Sequence, residues 1–397
     1  MIGALQAHEV AVVSREVWES AGPANLLGAG PSICTSTVIK PDMTAGPASS
    51  RDEYRQINTQ PQFLAQVVAW VHSWAPDAGI CVIDGLEYAD DRPSDSSQRV
   101  VTVNLHDKSA FFGLQGRRYY GTAFDMAETN RHHRADVHEY TFSRAVLSSD
   151  VIVNVPKLKT HKKAGINASL TNAVGLTANS NLLPHHTIGT PKTGGDTYQR
   201  NALRFRIASA VLAATKGVTA RTHLIECQPT VNLLRAVDVD PRQGGNWWGN
   251  DTLWRTILDV NRIVLYGRAD GTLADEPQRK TYSVVDSLVA GEGNGPDSPE
   301  PIETNLVIAG PSFAAVDLVC AKLMGFDWLR IPYLLHTFDG HDLPIVDFTY
   351  GDIRVLSDIE AFDRRLADID AQECFRFRPH YGWVDYAEAN RGEPARS

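Results

Sequence analysis

The stretch DVIVNVPKLKTHKKAG, residues 150–165, decides the fold of this chain. Its first half, Val151 to Val155, is apolar on both faces, which is typical of a strand buried within a parallel sheet. Similar apolar runs lie at 36–42, 79–85, 222–227 and 282–287, and helical patterns lie at 60–75, 201–217 and 249–267. This alternation predicts an α/β fold with a mostly parallel sheet flanked by helices.

Other segments predict additions to this sheet. Residues 100–121 alternate in polarity with Gly at the bends, which indicates an antiparallel hairpin elaboration. The irregular segments 164–200 and 240–250 are expected to form long active-site loops, because segments of this kind inside a domain usually carry function.

The domain organisation follows from the length of 397 residues. We expect an α/β lobe over 1–275 with the Lys/His segment and a second α/β lobe over 276–384 with the GEGNGP turn. A polar tail follows at 385–397, and a single domain fits the same pattern.

Composition excludes several classes of function. A net charge of −9 argues against a chain that coats nucleic acid, and no apolar window reaches the length of a membrane helix. The N-terminus has no basic start followed by an apolar core, so a cytoplasmic location is expected. The five scattered cysteines form no zinc or iron–sulfur spacing.

Basic side chains follow the strand Val151 to Val155 directly. In an extended chain Lys157, Lys159 and His161 point to the same side, and ligands of open parallel sheets bind at the carboxyl ends of strands. We expect the two lysines to clamp an anion and His161 to act as general acid or base, or as a metal ligand. The alternative is a solvated basic loop, of which Lys162 and Lys163 are the expected solvent-facing members.

The loop that follows is rich in Asn, Gly and His. Asn167 and Asn172 lie among small residues that allow a ligand to approach the backbone, so both are expected to bind substrate. His185, His186 and Asp196 are the expected ligands of a divalent transition metal such as Fe, Ni or Zn. The alternative is a pair of loop histidines that make local hydrogen bonds.

Two later segments supply further candidates for substrate binding. Asn250 stands where a helix begins, and Arg255 follows on its first turns, although Asp251 could hold Arg255 in a surface ion pair. Glu292 and Asn294 alternate with glycines in GEGNGP and are expected to close the far wall of the site. A plain glycine-rich turn explains that pattern equally well.

These segments together resemble the family called domain of unknown function 362. The resemblance is carried by IKP at 39–41, NVPKLKTHKKAG at 154–165, LTNAVGL at 170–176, LPHH at 183–186, GGDTY at 194–198, GNDTLWRTILDVNR at 249–262, GEGNGP at 291–296 and AVDLVCAKLMGF at 315–326. Lys40, within the first of these motifs, joins the residues expected to bind substrate. Some members carry a ferredoxin domain, and this sequence lacks the cysteines for its cluster.

A more distant similarity connects the chain to the nickel-pincer lactate racemases. Their pattern has a catalytic His, a Lys that tethers the cofactor, and a nickel-binding His. His161 occupies the first place and His185 or His186 lies near the third, whereas Thr171 stands where the Lys belongs. Because Thr cannot form that tether, a covalently held pincer is not expected.

The sequence thus leaves three functions open. The first is a biosynthetic enzyme that acts on a small anionic substrate, either as an isomerase or epimerase or as a metal-dependent oxidoreductase. The second is a metal-free acid/base lyase or isomerase, and the third is a binding protein for an anionic metabolite without turnover. Members of the resembled family often lie beside polysaccharide or natural-product genes, which favours the first.

Overall fold

A mixed, mostly parallel sheet forms the centre of the molecule, in a computed structural model that describes residues 5–27, 34–44, 55–83, 100–121, 125–199 and 244–388. The described strands are β1 (Glu9–Ser14), β2 (Ser36–Pro41), β3 (Gly79–Val82), β4 (Val100–Asn104), β5 (Tyr119–Tyr120), β6 (His133–Arg134), β7 (Val137–Ser143), β8 (Val151–Val155), β9 (Lys157–His161), β10 (Gly165–Asn167), β11 (His186–Thr187), β12 (Lys280–Asn294), β13 (Ser298–Ile302), β14 (Leu306–Gly310) and β15 (Arg354–Ser357).

Ten of these strands form the central sheet, in the order β15-β1-β14-β12-β8-β2-β3. Parallel pairs join β2 to β3 and to β8, β12 to β8 and to β9, and β1 to β15. The strands β9, β10 and β13 lie off the main path, with β10 paired to β9 and β13 paired to β12.

Helices flank the sheet. The described α-helices are α1 (Arg15–Leu27), α2 (Pro61–Trp74), α3 (Met126–His132), α4 (Arg144–Leu147), α5 (Ser169–Asn172), α6 (Leu253–Tyr266), α7 (Phe313–Met324) and α8 (Pro332–Leu335). The helix α1 is interrupted at Gly22, where φ is +69°.

Both faces of the sheet are covered, which explains why its central strands are rich in apolar residues. Along β8, Val151 and Val153 pack into a cluster with Trp70, whereas Ile152 packs into a second cluster with Ile263. Side chains alternate between the faces of a strand, so a doubly covered strand favours apolar residues at most positions. The predicted α/β class is therefore confirmed.

Most predicted elements within the described residues appear at their expected places. The strand at 36–42 is β2, the strand at 150–157 is β8, and the helical pattern at 249–267 is α6. The predicted helix at 201–217 and strand at 222–227 lie outside the described residues.

Two predicted boundaries differ from the structure. The run GEGNGP is not a turn over its first residues, because β12 continues to Asn294 and pairs with β13. Antiparallel pairing does occur within 100–121, but β4 pairs with β7 and β5 with β11 instead of with each other. Long-range partners therefore replace the local hairpin.

The central sheet joins the two expected lobes. The strand β12, from the segment 276–384, pairs with β8 from the segment 1–275. Within the expected tail 385–397, Ala387 is fully buried and its carbonyl accepts a hydrogen bond from the Asp327 amide at 2.8 Å. Strands from both segments therefore lie in one sheet.

Candidate functional site

A pocket of about 220 Å³ opens where β2 and β9 end. Polar side chains dominate its wall, with apolar ones contributed by α6. The lining residues are Lys40, Asp42, Met43, Thr44, His161, Asn167, Thr171, Asn172, Val174, Gly175, His185, Leu253 and Ile257. Its position at the carboxyl ends of parallel strands is the usual one for ligand sites in open α/β sheets.

A buried carboxylate organises the charges of this pocket. Asp42 Oδ2 lies 3.2 Å from Lys159 Nζ and 2.8 Å from the amide nitrogen of Asn167. Burial alone would raise the pKa of Asp42, but the ammonium groups of Lys159 and Lys40 hold it below its ordinary value. Two ammonium groups therefore face one carboxylate, and the surplus positive charge favours an anionic ligand.

The two lysines beside Asp42 are fixed by polar partners. Lys159 Nζ also donates to Thr44 Oγ1 at 2.7 Å and to the Ile57 carbonyl at 2.6 Å. Lys40 Nζ donates to Asn172 Oδ1 at 3.1 Å, and this amide in turn donates to Asn154 Oδ1 at 2.7 Å. The cations are thus held in place by the protein before any ligand enters.

Lys157 lies behind the pocket and does not line it. Its ammonium is fully buried and lies 2.9 Å from Asp286 Oδ2, the carboxylate of the neighbouring strand. Burial lowers the pKa of Lys157, and Asp286 opposes that shift. Of the lysines on β2 and β9, Lys40 lines the pocket, whereas Lys157 and Lys159 do not.

His161 ends β9 and turns one ring nitrogen toward the protein. Its Nδ1 accepts the backbone N–H groups of Lys163 at 3.1 Å and Ala164 at 3.0 Å. Burial, together with the charge of Lys162, lowers the pKa of His161 well below its ordinary value. The ring is therefore neutral at pH 7, and because Nδ1 accepts two hydrogen bonds, the proton resides on Nε2.

His185 presents the opposite tautomer to the same pocket. Its Nδ1 lies 2.9 Å from the Leu183 carbonyl, which can only accept, so Nδ1 carries the proton and Nε2 carries the lone pair. Burial, with the charge of Lys163, lowers the pKa of His185 to about 4. Asn250 fixes this residue through a hydrogen bond from its amide to the His185 carbonyl at 3.0 Å.

The prediction that Lys163 faces solvent was wrong, whereas Lys162 is partly exposed. Lys163 Nζ donates to the Gly244 carbonyl at 2.6 Å and lies 3.1 Å from His186 Nδ1. Burial lowers the pKa of Lys163 to about 7. The backbone turns at Gly165, where φ is +86°, a left-handed conformation that favours glycine.

The three expected metal ligands do not converge. His185 lines the pocket, whereas His186 stacks on Tyr120 with ring centroids 4.9 Å apart. The carboxylate of Asp196 accepts from the Thr187 amide at 2.6 Å and from Thr252 Oγ1 at 2.6 Å, so it organises a loop. Within the described residues no group of three His, Cys, Asp or Glu side chains is placed to hold a metal ion.

The donor chemistry of His161 also does not suit a metal. A histidine that binds a metal through one nitrogen normally donates a hydrogen bond through the other. The Nδ1 of His161 instead faces two backbone donors, so a proton there would oppose both of them. His161 is therefore a poor ligand for the expected Fe, Ni or Zn.

Asn250 and Arg255 have structural partners at the start of α6. Asn250 Oδ1 accepts from the backbone amides of Thr252 and Leu253, at 3.0 and 2.8 Å, which caps the helix. Arg255 pairs with Asp251 at 2.8 Å, the surface ion pair that the sequence left as an alternative. Neither residue lines the pocket.

Glu292 and Asn294 do not form a wall of the pocket. Glu292 Oε2 accepts the backbone N–H of Arg378 at 2.9 Å, and Asn294 is exposed opposite Ser298. The two residues belong to the β12–β13 ribbon, whose pairing turns them away from the ends of β2 and β9. The expected far wall is instead supplied by α6, through Leu253 and Ile257.

The structure adds Asp42, which the sequence reasoning missed. The signal was present, because this carboxylate directly follows the buried strand β2 in the motif IKPD. Asn167, Asn172 and Lys40 do line the pocket, and Thr171 lies among them. The pocket is thus assembled from β2, the β9–β10 turn, α5 and the loop before β11.

An α/β fold with a basic, histidine-bearing pocket at its strand ends defines the class of this protein. The family model described as domain of unknown function (DUF362) matches residues 37–322, and the chain belongs to this family. No curated protein and no solved structure matched the chain. Among the described helices, none combines the length and apolar character that a membrane span requires.

Proposed function

We propose that this chain is an enzyme that binds a small anionic substrate in the pocket and catalyses proton transfer on it. It would act as an isomerase, epimerase or lyase without a metal. The observation that carries the proposal is the presence of two neutral imidazoles in a pocket with surplus positive charge. General acid–base catalysis needs such groups within reach of a bound substrate.

The anion end of the substrate would bind near Lys40. This ammonium lines the pocket and is held by Asn172, and Asp42 is already paired to Lys159. An incoming carboxylate or phosphate would gain a charge-assisted contact with the Lys40 ammonium at the pocket wall, while the Asp42–Lys159 pair stays in place. Hydroxyl groups of the substrate would find partners in Thr44, Thr171 and Asn167, which also line the pocket.

Calorimetric titration of the purified protein with malate, L-lactate and glycerol 3-phosphate tests the binding part of this proposal. We expect at least one of these anions to bind, and Lys40→Met to weaken that binding at least about 10-fold, because a charge-assisted contact is lost. Lys280→Met is the matched control, since this exposed lysine stands at the opposite, amino end of β12. Equal losses of anion affinity in Lys40→Met and Lys280→Met would show that the anion does not bind at Lys40.

The variant His161→Gln distinguishes an enzyme from a binding protein without turnover. An enzyme should still bind the anion in this variant and lose chemistry on it, whereas a carrier would show no chemistry even with the native side chain. The readout is deuterium incorporation into the bound anion in D₂O, followed by proton NMR.

A further inference from the structure

We infer that the pocket performs single-base chemistry, in which His185 removes a proton from the carbon next to a carboxylate or carbonyl group and His161 donates a hydrogen bond to the oxygen of that group. This inference rests on the proposed function and narrows it. The substrate class is then a small carboxylate or carbonyl compound with an acidic carbon–hydrogen bond, and the reaction is a one-base isomerisation or a β-elimination.

The hydrogen bonds of the two rings assign these roles. His185 uses Nδ1 toward the Leu183 carbonyl, so its basic lone pair is on Nε2. His161 uses Nδ1 toward two backbone donors, so its Nε2 is a donor, and it has no hydrogen-bond partner among the described residues. Both rings line the same pocket, one as acceptor and the other as donor.

His185 and His161 together account for the proton transfers and the stabilisation of negative charge in this reaction. His185 Nε2 takes the proton, and the electron pair of the C–H bond forms a carbon–carbon double bond while the carbonyl π pair moves onto oxygen. His161 Nε2–H stabilises this oxyanion, as a preorganised neutral donor does in other enolate-forming sites. In an isomerisation of an α-hydroxycarbonyl compound, the hydroxyl proton moves to the oxyanion within the substrate, and the imidazolium of His185 returns the abstracted proton to the former carbonyl carbon while the second oxygen becomes the carbonyl. In a β-elimination, the oxyanion re-forms the carbonyl, the carbon–carbon double bond shifts to the α,β position as the bond to the leaving group breaks, and the imidazolium protonates the departing group.

The protonation states of the two rings exclude a two-base epimerase at this site. Such an enzyme needs a second group that alternately takes and gives a proton on the opposite face of the carbon. His161 cannot serve, because Nε2 already carries its proton and a second proton on Nδ1 would face the amides of Lys163 and Ala164. Burial also favours the neutral ring.

A bound anionic substrate would raise the pKa of His185, the proposed base. Burial and the charge of Lys163 hold the pKa of His185 at about 4, which makes it a weak base before binding. An anionic group placed in the pocket favours the imidazolium form and would raise that pKa toward neutrality. Proton abstraction is therefore strongest with the anion in place.

The first test is nitrogen-15 NMR of histidine-labelled protein at pH 7.5, with resonances assigned by His161→Gln and His185→Gln. We expect His161 to carry its proton on Nε2 and His185 to carry its proton on Nδ1. The opposite tautomer for either ring would overturn the assignment of roles, even if the anion-binding measurements succeed.

The second test follows exchange of the carbon-bound proton of pyruvate or malate in D₂O. We expect exchange in the native protein, its loss in His185→Gln, and a reduction of about 10²–10³-fold in His161→Phe, which keeps a planar ring and removes the N–H, the range for one lost oxyanion donor. A probe that binds but never exchanges overturns this inference and leaves anion binding intact. If none of the anions binds, the proposed function itself fails.

Discussion

Asp42 shows how a single buried carboxylate sets the properties of the pocket. It fixes Lys159 at 3.2 Å and Asn167 at 2.8 Å, and the ammonium of Lys40, held by Asn172, lowers its pKa further. Loss of Asp42 would leave the buried Lys159 without its paired carboxylate, and loss of Lys159 would remove the ammonium that lies 3.2 Å from Asp42, so both changes should be destabilising.

Replacement of Lys159 by Met should therefore destabilise the protein strongly. Breaking a buried ion pair from one side costs about 3–5 kcal/mol. The measurement is urea unfolding at pH 7, with Lys162→Met as the matched control. Lys162 pairs with the exposed Asp297, and loss of a surface pair should cost less than about 1 kcal/mol. Similar costs in both variants would contradict the buried pair.

Part of this residue-level picture could be read from the sequence. His161 and Lys159 were predicted from their position after β8, and Asn167 and Asn172 from the small residues around them; all but Lys159 line the pocket directly. The sequence could not show that Lys157 turns to Asp286, because that carboxylate lies on β12, far along the chain. Long-range pairing, which local periodicity does not encode, separates the two lysines.

At the scale of elements, the short helix α5 depends on one distant carboxylate. Asp317 of α7 accepts the backbone amides of Ser169 at 2.6 Å and Leu170 at 3.0 Å. These contacts set the turn that carries Thr171 and Asn172 into the pocket. Burial raises the pKa of Asp317 to about 7.

Replacement of Asp317 by Leu should damage both stability and binding. Two buried amides lose their acceptor, at a cost of about 1–3 kcal/mol each, and malate affinity should fall as α5 shifts. Asp317→Asn is the informative control, because it keeps an acceptor oxygen. Urea unfolding and calorimetry report the two effects, and an unchanged Leu variant would refute the anchoring role.

The stability of the Asp317→Asn variant should also depend on pH differently from that of the native protein. A carboxyl group whose pKa is raised on folding contributes stability below its unfolded value of 3.8, and this is lost as the pH rises through about 7. The Asn variant lacks this loss, so its stability relative to the native protein should grow as the pH rises from 4 to 8.

At the scale of the whole molecule, buried histidines govern stability in acid. His133 and His138 lie in an aromatic cluster with Phe111 and Tyr140, and burial lowers their pKa values to about 3 and about 4. The Nδ1 atom of each ring is buried without a hydrogen-bond partner in the described part of the chain. Both rings are therefore held neutral.

Acidification should unfold the protein through these rings. The unfolded histidines bind protons below a pKa of about 6.5 and the folded ones do not, so stability falls as the pH drops from 6.5 toward 4. At pH 5 each ring should cost roughly 2 kcal/mol relative to pH 8.

The comparison of native protein with His138→Phe isolates one of these contributions. His138 stacks on Phe111 at 5.5 Å, so Phe preserves the packing and removes the titrating group. Urea unfolding at pH 5 and pH 8 should show a smaller pH effect in the variant. If both proteins lose the same stability, the folded His138 is not held neutral.

The α/β class, the strands β2 and β8, the helix α6 and the basic segment that ends in His161 could all be predicted from local sequence. Periodicity and composition define such elements, because they indicate which faces must be covered. The cation that lines the pocket, the central place of Asp42 and the protonated nitrogen of each histidine became evident in the folded molecule. Those outcomes depend on backbone amides and carboxylates that folding brings together from distant parts of the chain.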